Sequence, residues 1–261
     1  MILKNASRVL GALASVFLLH GVASAAFVGA GTFNLTGTVY VTNTSFLFGY
    51  NSQPTGTSAD ERAAVVLPAI GAFSGLAAGD VETIHNLLTP TNGAPFGPGP
   101  VVPGTSFTLA PFVELTTIGV NLDLAGTNPL PIGPNAVCTG TAADNTPGNV
   151  CTAQPGSPVV LQQGDTSVTA IMSLSGRAYF AGSTDYTPFI GKFSASFSQG
   201  QDTTISGLLA DLAANGFITT GYQASFTTTP APVIPEPASM ALIGVGLFAV
   251  GLFGKKRLLN K

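Results

Sequence analysis

Residues 168–180, VTAIMSLSGRAYF, carry the pattern that decides the fold. Val168, Ala170, Met172, Leu174, Gly176, Ala178 and Phe180 fall on one parity, and Thr169, Ser173, Ser175 and Arg177 on the other. Successive side chains of a strand point to opposite faces, so this is a long strand with one buried face, interrupted only by Ile171 and Tyr179. The pattern recurs more cleanly where Phe189, Gly191, Phe193, Ala195 and Phe197 alternate with Lys192, Ser194, Ser196 and Ser198. Between the two runs, residues 182–188 have turn chemistry, which predicts an antiparallel pair. The phenylalanines are read as core rather than as a platform for stacking a ligand.

Working outward, similar stretches occur at Phe33 to Val41, Phe107 to Leu109, Ile118 to Leu124 and Tyr222 to Phe226. Loops rich in Gly, Pro and Asn separate them, at residues 51–58, 89–104, 127–135 and 142–156. Many short strands and no repeated crossover helices predict an all-β, antiparallel β-sandwich or jelly roll. One or two short helices are expected. Ser206 is placed to cap Gly207 to Ala214, with Leu208, Leu209 and Leu212 inward and Gly216 ending the turn, while residues 80–88 fit either a helix or a strand.

Only 8% of the 261 residues are charged, against about 25% in an ordinary soluble domain, so the polar surface must be built from Ser, Thr, Asn and Gln. The net charge of −3 hides an uneven layout. Between Ala26 and Pro237 stand Arg62, Arg177 and Lys192 against all 12 acids, a balance of −9. An acidic body with no basic groove excludes nucleic acid as a partner.

The ends read differently from the middle. Lys4 and Arg8 precede an apolar run from Val9 to Leu19, and Ala23-Ser24-Ala25 has the small residues of a signal-peptidase site, predicting a signal peptide over residues 1–25. A β-rich ectodomain is expected over 26–229 and a proline-rich linker over 230–237. Residues 238–254 are 17 in number and uncharged, about 25 Å as a helix, just enough for a thin bilayer. Lys255, Lys256 and Arg257 then begin a basic tail over 255–261 that the positive-inside tendency leaves in the cytoplasm. The expectation is a single C-terminal transmembrane helix in the bacterial inner membrane, with the ectodomain outside.

The run Val233-Ile-Pro-Glu-Pro-Ala-Ser-Met-Ala-Leu-Ile-Gly244, with the apolar stretch and basic cluster behind it, resembles the PEP-CTERM sorting signal of Gram-negative bacteria. The Pro-Glu-Pro triplet, hydrophobic segment and basic tail are all present. The resemblance implies handling by an exosortase near Pro235, Glu236 and Pro237, in bacteria that often produce exopolysaccharide or biofilm. These residues are then substrate rather than catalyst. Physically, two prolines hold the peptide extended and lower the entropy lost on entering a cleft.

Cys138 and Cys151 are the only cysteines, and in an exported protein they are expected to form a disulfide closing a 14-residue loop. They lack the partners of a zinc set and the spacing of a redox pair. Past the signal peptide His85 is the only histidine, with no nucleophile elbow to serve, and is read as structural or exposed. Asp60 with Glu61 and Asp80 with Glu82 are the near pairs of acids; Glu114, Asp123, Asp144, Asp165, Asp185, Asp202 and Asp211 are scattered, and spacing alone does not show which converge. Tyr186, in a Gly/Ser/Asp loop, is the tyrosine most open to a ligand-contact role. No cofactor or metal is expected. The reading is an exported structural or adhesive surface protein rather than an enzyme, with a carbohydrate-binding module for exopolysaccharide and a glycoside or ester hydrolase as alternatives. Exopolysaccharide and other envelope proteins are its expected partners besides the exosortase.

Overall fold

The computed structural model describes residues 27–49, 61–88, 106–127, 137–153, 157–198 and 203–229. The expected signal peptide (1–25), linker (230–237), transmembrane helix (238–254) and tail (255–261), and with them Pro235, Glu236 and Pro237, lie outside the described residues. Among the described residues no helix is long and apolar enough to cross a membrane.

The strands are β1 (Gly31–Thr42), β2 (Ser45–Gly49), β3 (Arg62–Gly71), β4 (Val81–Ile84), β5 (Leu87–Leu88) and β6 (Ser106–Leu115), then β7 (Val120–Thr127), β8 (Val150–Thr152), β9 (Val159–Gln163), β10 (Val168–Phe180), β11 (Thr187–Phe197) and β12 (Phe217–Thr228). One α-helix, α1 (Ile205–Asn215), precedes β12, and a 3-10 turn spans Ala142–Asn145. The chain is all-β in class, as expected, and β10 and β11 form the predicted hairpin with Val168 opposite Phe197 and Ala178 opposite Thr187.

The sandwich or jelly-roll expectation is corrected. Hydrogen bonding runs without a break through β10, β11, β12, β1, β3, β4, β6 and β7, and returns to β10 where Tyr179 pairs Asn121 and Phe180 pairs Val120. The result is an antiparallel eight-strand barrel with extra strands. Strand length explains it: residues 31–36 of β1 pair β3 while 38–41 pair β2, and residues 168–172 of β10 pair β9 while 179–180 pair β7. Each long strand serves the ring with one half and a side flap with the other. Alternation states which face is buried but not how a sheet closes. Closure needs a close approach at Gly176, where any Cβ would fall 1.9 Å from the Asp123 carbonyl oxygen.

The interior follows the predicted parities. Val168, Ala170, Met172, Leu174 and Ala178 of β10 and Phe189, Phe193, Ala195 and Phe197 of β11 are all buried. Phe180 departs from its parity and is exposed, because the strand has reached the barrel rim. Phe193 stacks on Tyr222 at 5.1 Å and Phe226 on Phe33 at 5.0 Å, with Phe48 edge-on to Phe193 and Tyr222. Each such ring contributes roughly 1.5–3 kcal/mol by leaving water. The Tyr222 hydroxyl has no hydrogen-bond partner inside this cluster, and burial pushes its pKa far up.

The two ends of the barrel differ. Gly31 pairs both Thr228 and Gly71, and Thr228 pairs Phe189, so β1 begins where β12 and β3 end. The turns over 71–80, 116–119 and 181–186 gather at that exit end, from which the chain leaves after β12. At the opposite, helix end, Ile205, Leu208 and Leu212 of α1 are buried over the mouth. They enclose an apolar space of about 40 Å3 with residues such as Val41, Phe46 and Leu161. The cap of α1 is Thr204, not Ser206: the Thr204 hydroxyl accepts from the Gly207 N–H, while Ser206 is bonded to Asn145 instead. The C-terminal prediction holds, with Gly216 left-handed at φ 77°. The ambiguous 80–88 segment is β4 and β5.

Candidate functional site

Cross-strand register builds a polar row on one outer face, with Arg62 opposite Thr83, Thr83 opposite Glu114, Glu114 opposite Asn121 and Asn121 opposite Tyr179. Beside it, Glu61 Oε2 lies 2.7 Å from His85 Nδ1, and Glu114 Oε1 lies 2.8 Å from His85 Nε2. The other Glu61 oxygen accepts the Asn86 N–H at 3.0 Å, and Asn86 Oδ1 accepts the Phe48 N–H at 2.7 Å. Charge-assisted bonds of this kind are among the stronger ones. They tie the start of β3, the β4–β5 connection, β6 and β2 together. His85, read as structural or exposed, is bonded on both ring nitrogens, and Glu61 and Glu114 converge on it from 24 and 29 positions away. Nothing local in the sequence signals that meeting.

Farther round, the Tyr179 hydroxyl donates to Asp123 Oδ1 at 2.9 Å. Burial raises the Asp123 carboxyl pKa, opposed by that bond and by Arg177. The Tyr179 phenol is raised by burial and then by the adjacent Asp123. The Arg177 guanidinium sits 4.7 Å above the Tyr186 ring, a cation–π contact. Tyr186 is 45% exposed, so a ligand would meet a ring already covered on one face.

Asp80 and Glu82 take separate roles in the fold. Glu82 is buried and accepts from the Thr116 N–H and hydroxyl, bracing the β6–β7 turn, while Asp80 accepts from the Ala77 N–H. Asp60 and Asp202 lie outside the described residues. Among the described residues no trio of His, Cys, Asp or Glu is placed to hold a metal ion; Glu61 and Glu114 meet opposite nitrogens of His85 rather than a shared point. Both carboxylates are hydrogen-bonded to that imidazole.

The face over β1, β12 and β11 is different in chemistry. A groove of about 360 Å3 there is lined by Asn34, Lys192, Ser194, Gln223 and Ser225 beside Val66 and Leu67. A neighbouring one of about 350 Å3 shares Ser194 and Gln223 and adds Thr36, Thr169 and Ser196. Together they form a hydroxyl- and amide-lined trough with Lys192 as its charge. Sequence reasoning missed it because its residues are the polar parity of four strands, each unremarkable alone. Tyr186 does not line it.

Beyond β12 the sequence itself is the informative feature, and comparison decides its reading. The PEP-CTERM protein-sorting motif matches residues 233–257. This chain carries that motif. The match begins five residues after Thr228, the last of β12, and spans the tail alone. Neither a search of curated proteins nor one of solved structures returns a match for the chain. PEP-CTERM signals are recognised by exosortases, so the barrel is the cargo of an exosortase-sorted, exported protein.

Export accords with the cysteines of this chain. Cys138 and Cys151 form the expected disulfide, with Cα atoms 5.1 Å apart, in keeping with an oxidising compartment. Inside the closed loop the buried Asp144 carboxylate accepts from the Gly140 N–H at 2.7 Å and the Thr139 hydroxyl at 3.0 Å. The loop reaches α1 through Asn145, whose Oδ1 accepts the Ser206 N–H at 3.0 Å.

Proposed function

We propose that this is a structural or adhesive protein of the cell surface or extracellular matrix, not an enzyme. It is first held in the inner membrane by residues 238–254, with the barrel outside and residues 255–261 in the cytoplasm. The observation that carries the reading is the sorting motif following so soon after the last barrel strand. A signal peptide over 1–25 and exosortase action near Pro235, Glu236 and Pro237 complete the route. Fractionation of producing cells tests it, with an alkylation assay for Cys138 and Cys151. Oxidised protein in the envelope or medium is expected; intact, reduced precursor in the cytosol would sink it.

A second reading is favoured by the trough over β1, β12 and β11. Its hydroxyls and amides are suited to the hydroxyls of a polysaccharide, and Lys192 suits an acidic sugar in an otherwise acidic body. Binding of the host exopolysaccharide, weakened by Lys192→Ala and Gln223→Ala, is the expected result. Unchanged binding in both variants would move any glycan contact elsewhere, with Tyr186 as the next residue to replace.

A further inference from the structure

We propose that the exit end of the barrel rests on the surface of the bilayer that receives the chain's own tail. This builds on the reading of residues 238–254 as an anchor. Thr229 ends the described chain and the apolar run starts at Ala238, so fewer than ten residues connect them, at most about 30 Å of extended backbone. The exit end cannot stray farther than that from the membrane.

Exposed apolar side chains concentrate at that end. Phe27 is 48% exposed, Leu67 54%, Ile70 55%, Phe180 38% and Ile190 63%. Ile70 and Ile190 occupy one outer row, joined through Thr32 and Thr227. Phe27 bridges to Tyr179, next to Phe180. The five side chains thus follow the rim across β3, β1, β12, β11 and β10. Single exposed hydrophobics are ordinary on a protein surface, but here they crowd the end where the chain departs. At the helix end only Val137 and Val150 are comparably exposed among the described residues.

The exit-end stretches 71–79, 116–119 and 181–184 contain no Asp, Glu, Lys or Arg, although the body as a whole is acidic. Asp80 and Asp185 lie within two of the exit-end turns, the Asp80 carboxylate engaged by the Ala77 N–H, and Arg177 sits over the Tyr186 ring beside them. The apolar tips can enter the interfacial region while these few charged heads stay hydrated among the lipid headgroups. A second copy of the chain fits less well, because a stable protein interface needs about 1,000 Å2 of complementary contact, whereas these tips are spaced around a rim and separated by Thr and Gly. Seating on lipid would point α1 and the disulfide loop away from the membrane, and, through Leu67, would set one edge of the trough against the headgroups.

The absence of Trp from the chain makes the test direct. The full chain carrying Ile190→Trp is reconstituted in phosphatidylcholine vesicles with and without brominated lipid, in parallel with Val150→Trp at the helix end. The expected result is blue-shifted, bromolipid-quenched emission from position 190 and unquenched emission from position 150. Ile70→Trp repeats the measurement, so that one misfolded variant does not decide it. Chain that floats with the vesicles but shows no quenching at 190 or 70, or equal quenching at 150, overturns the proposal. A blue shift that follows protein concentration without quenching assigns the rim to a second copy and also overturns it. Chain that fails to float refutes the anchor reading, and the seating falls with it.

Discussion

The helix end and the exit end of the barrel belong to one continuous sheet, yet they are finished in opposite ways. At the helix end the chain supplies its own cover: α1 buries Ile205, Leu208 and Leu212, and the Cys138–Cys151 loop braces the helix through Asn145. Gln163 works in the same place, its Oε1 accepting the Ile205 N–H and its Nε2 donating to the Thr203 carbonyl. The exit end has tight turns and exposed apolar tips. The difference teaches that the chain covers one mouth of the barrel itself and leaves apolar tips uncovered at the other, where buried Glu82 braces a turn but no element among the described residues caps the rim.

Breaking the cover at the helix end should therefore cost as much as breaking the barrel core. Leu208→Ala removes a fully buried side chain from beneath α1, and because the apolar space there is already small, the surrounding strands cannot collapse far. A loss of about 3–5 kcal/mol is expected, measured by chemical denaturation of the folded chain. A loss below the cost of an exposed substitution would mean that α1 is not holding the mouth closed. Next in size, replacing Cys138 and Cys151 by Ser together should lower stability by about 3 kcal/mol through the 14-residue loop. If α1 is braced by that loop, hydrogen exchange in residues 205–215 should speed up in the double variant; unchanged exchange there would uncouple the two.

The strands of this division were legible in the sequence where one face is buried and the other polar. Residues 168–178 and 189–197 gave parity, pairing and the core phenylalanines. Residues 62–71 were not legible, because ArgAlaAlaValValLeuProAlaIleGly reads as an apolar run containing a proline rather than as an alternation. Closure into a barrel was also hidden, since it depends on β1 and β10 changing partners along their length. The disulfide was legible because only two cysteines exist. Glu61, His85 and Glu114 were each visible but their meeting was not, as it depends on how β4 and β6 are registered.

A smaller effect is expected near the exit end from Asp123→Asn. Burial raises the Asp123 pKa in the fold, so the folded protein binds that proton more tightly than the unfolded chain does. The favourable contribution is full below the unfolded value and is lost as pH rises through the raised folded value. Asn keeps an oxygen to accept from the Tyr179 hydroxyl but does not titrate. The variant should match or exceed the parent at neutral pH and fall behind it in acid, a crossover read from denaturation midpoints across the acid range. A constant difference at every pH would show that Asp123 is not the source of the slope.

The smallest effect on folding should come from Ile190, the most exposed of the large apolar side chains among the described residues. Its side chain is 63% exposed at the rim, so Ile190→Ser removes little buried apolar area and should change stability by no more than about 0.5 kcal/mol in the absence of lipid. A neighbour in the same strand gives the contrast: Phe193 is 2% exposed and packs on Tyr222 and Phe46, and its replacement by Ala should cost about 3–5 kcal/mol. Should Ile190→Ser prove comparably damaging, the rim would be part of the folding core and its exposure would need no external partner. A neutral result leaves an apolar side chain that folding does not require, at the end from which the sorting tail departs.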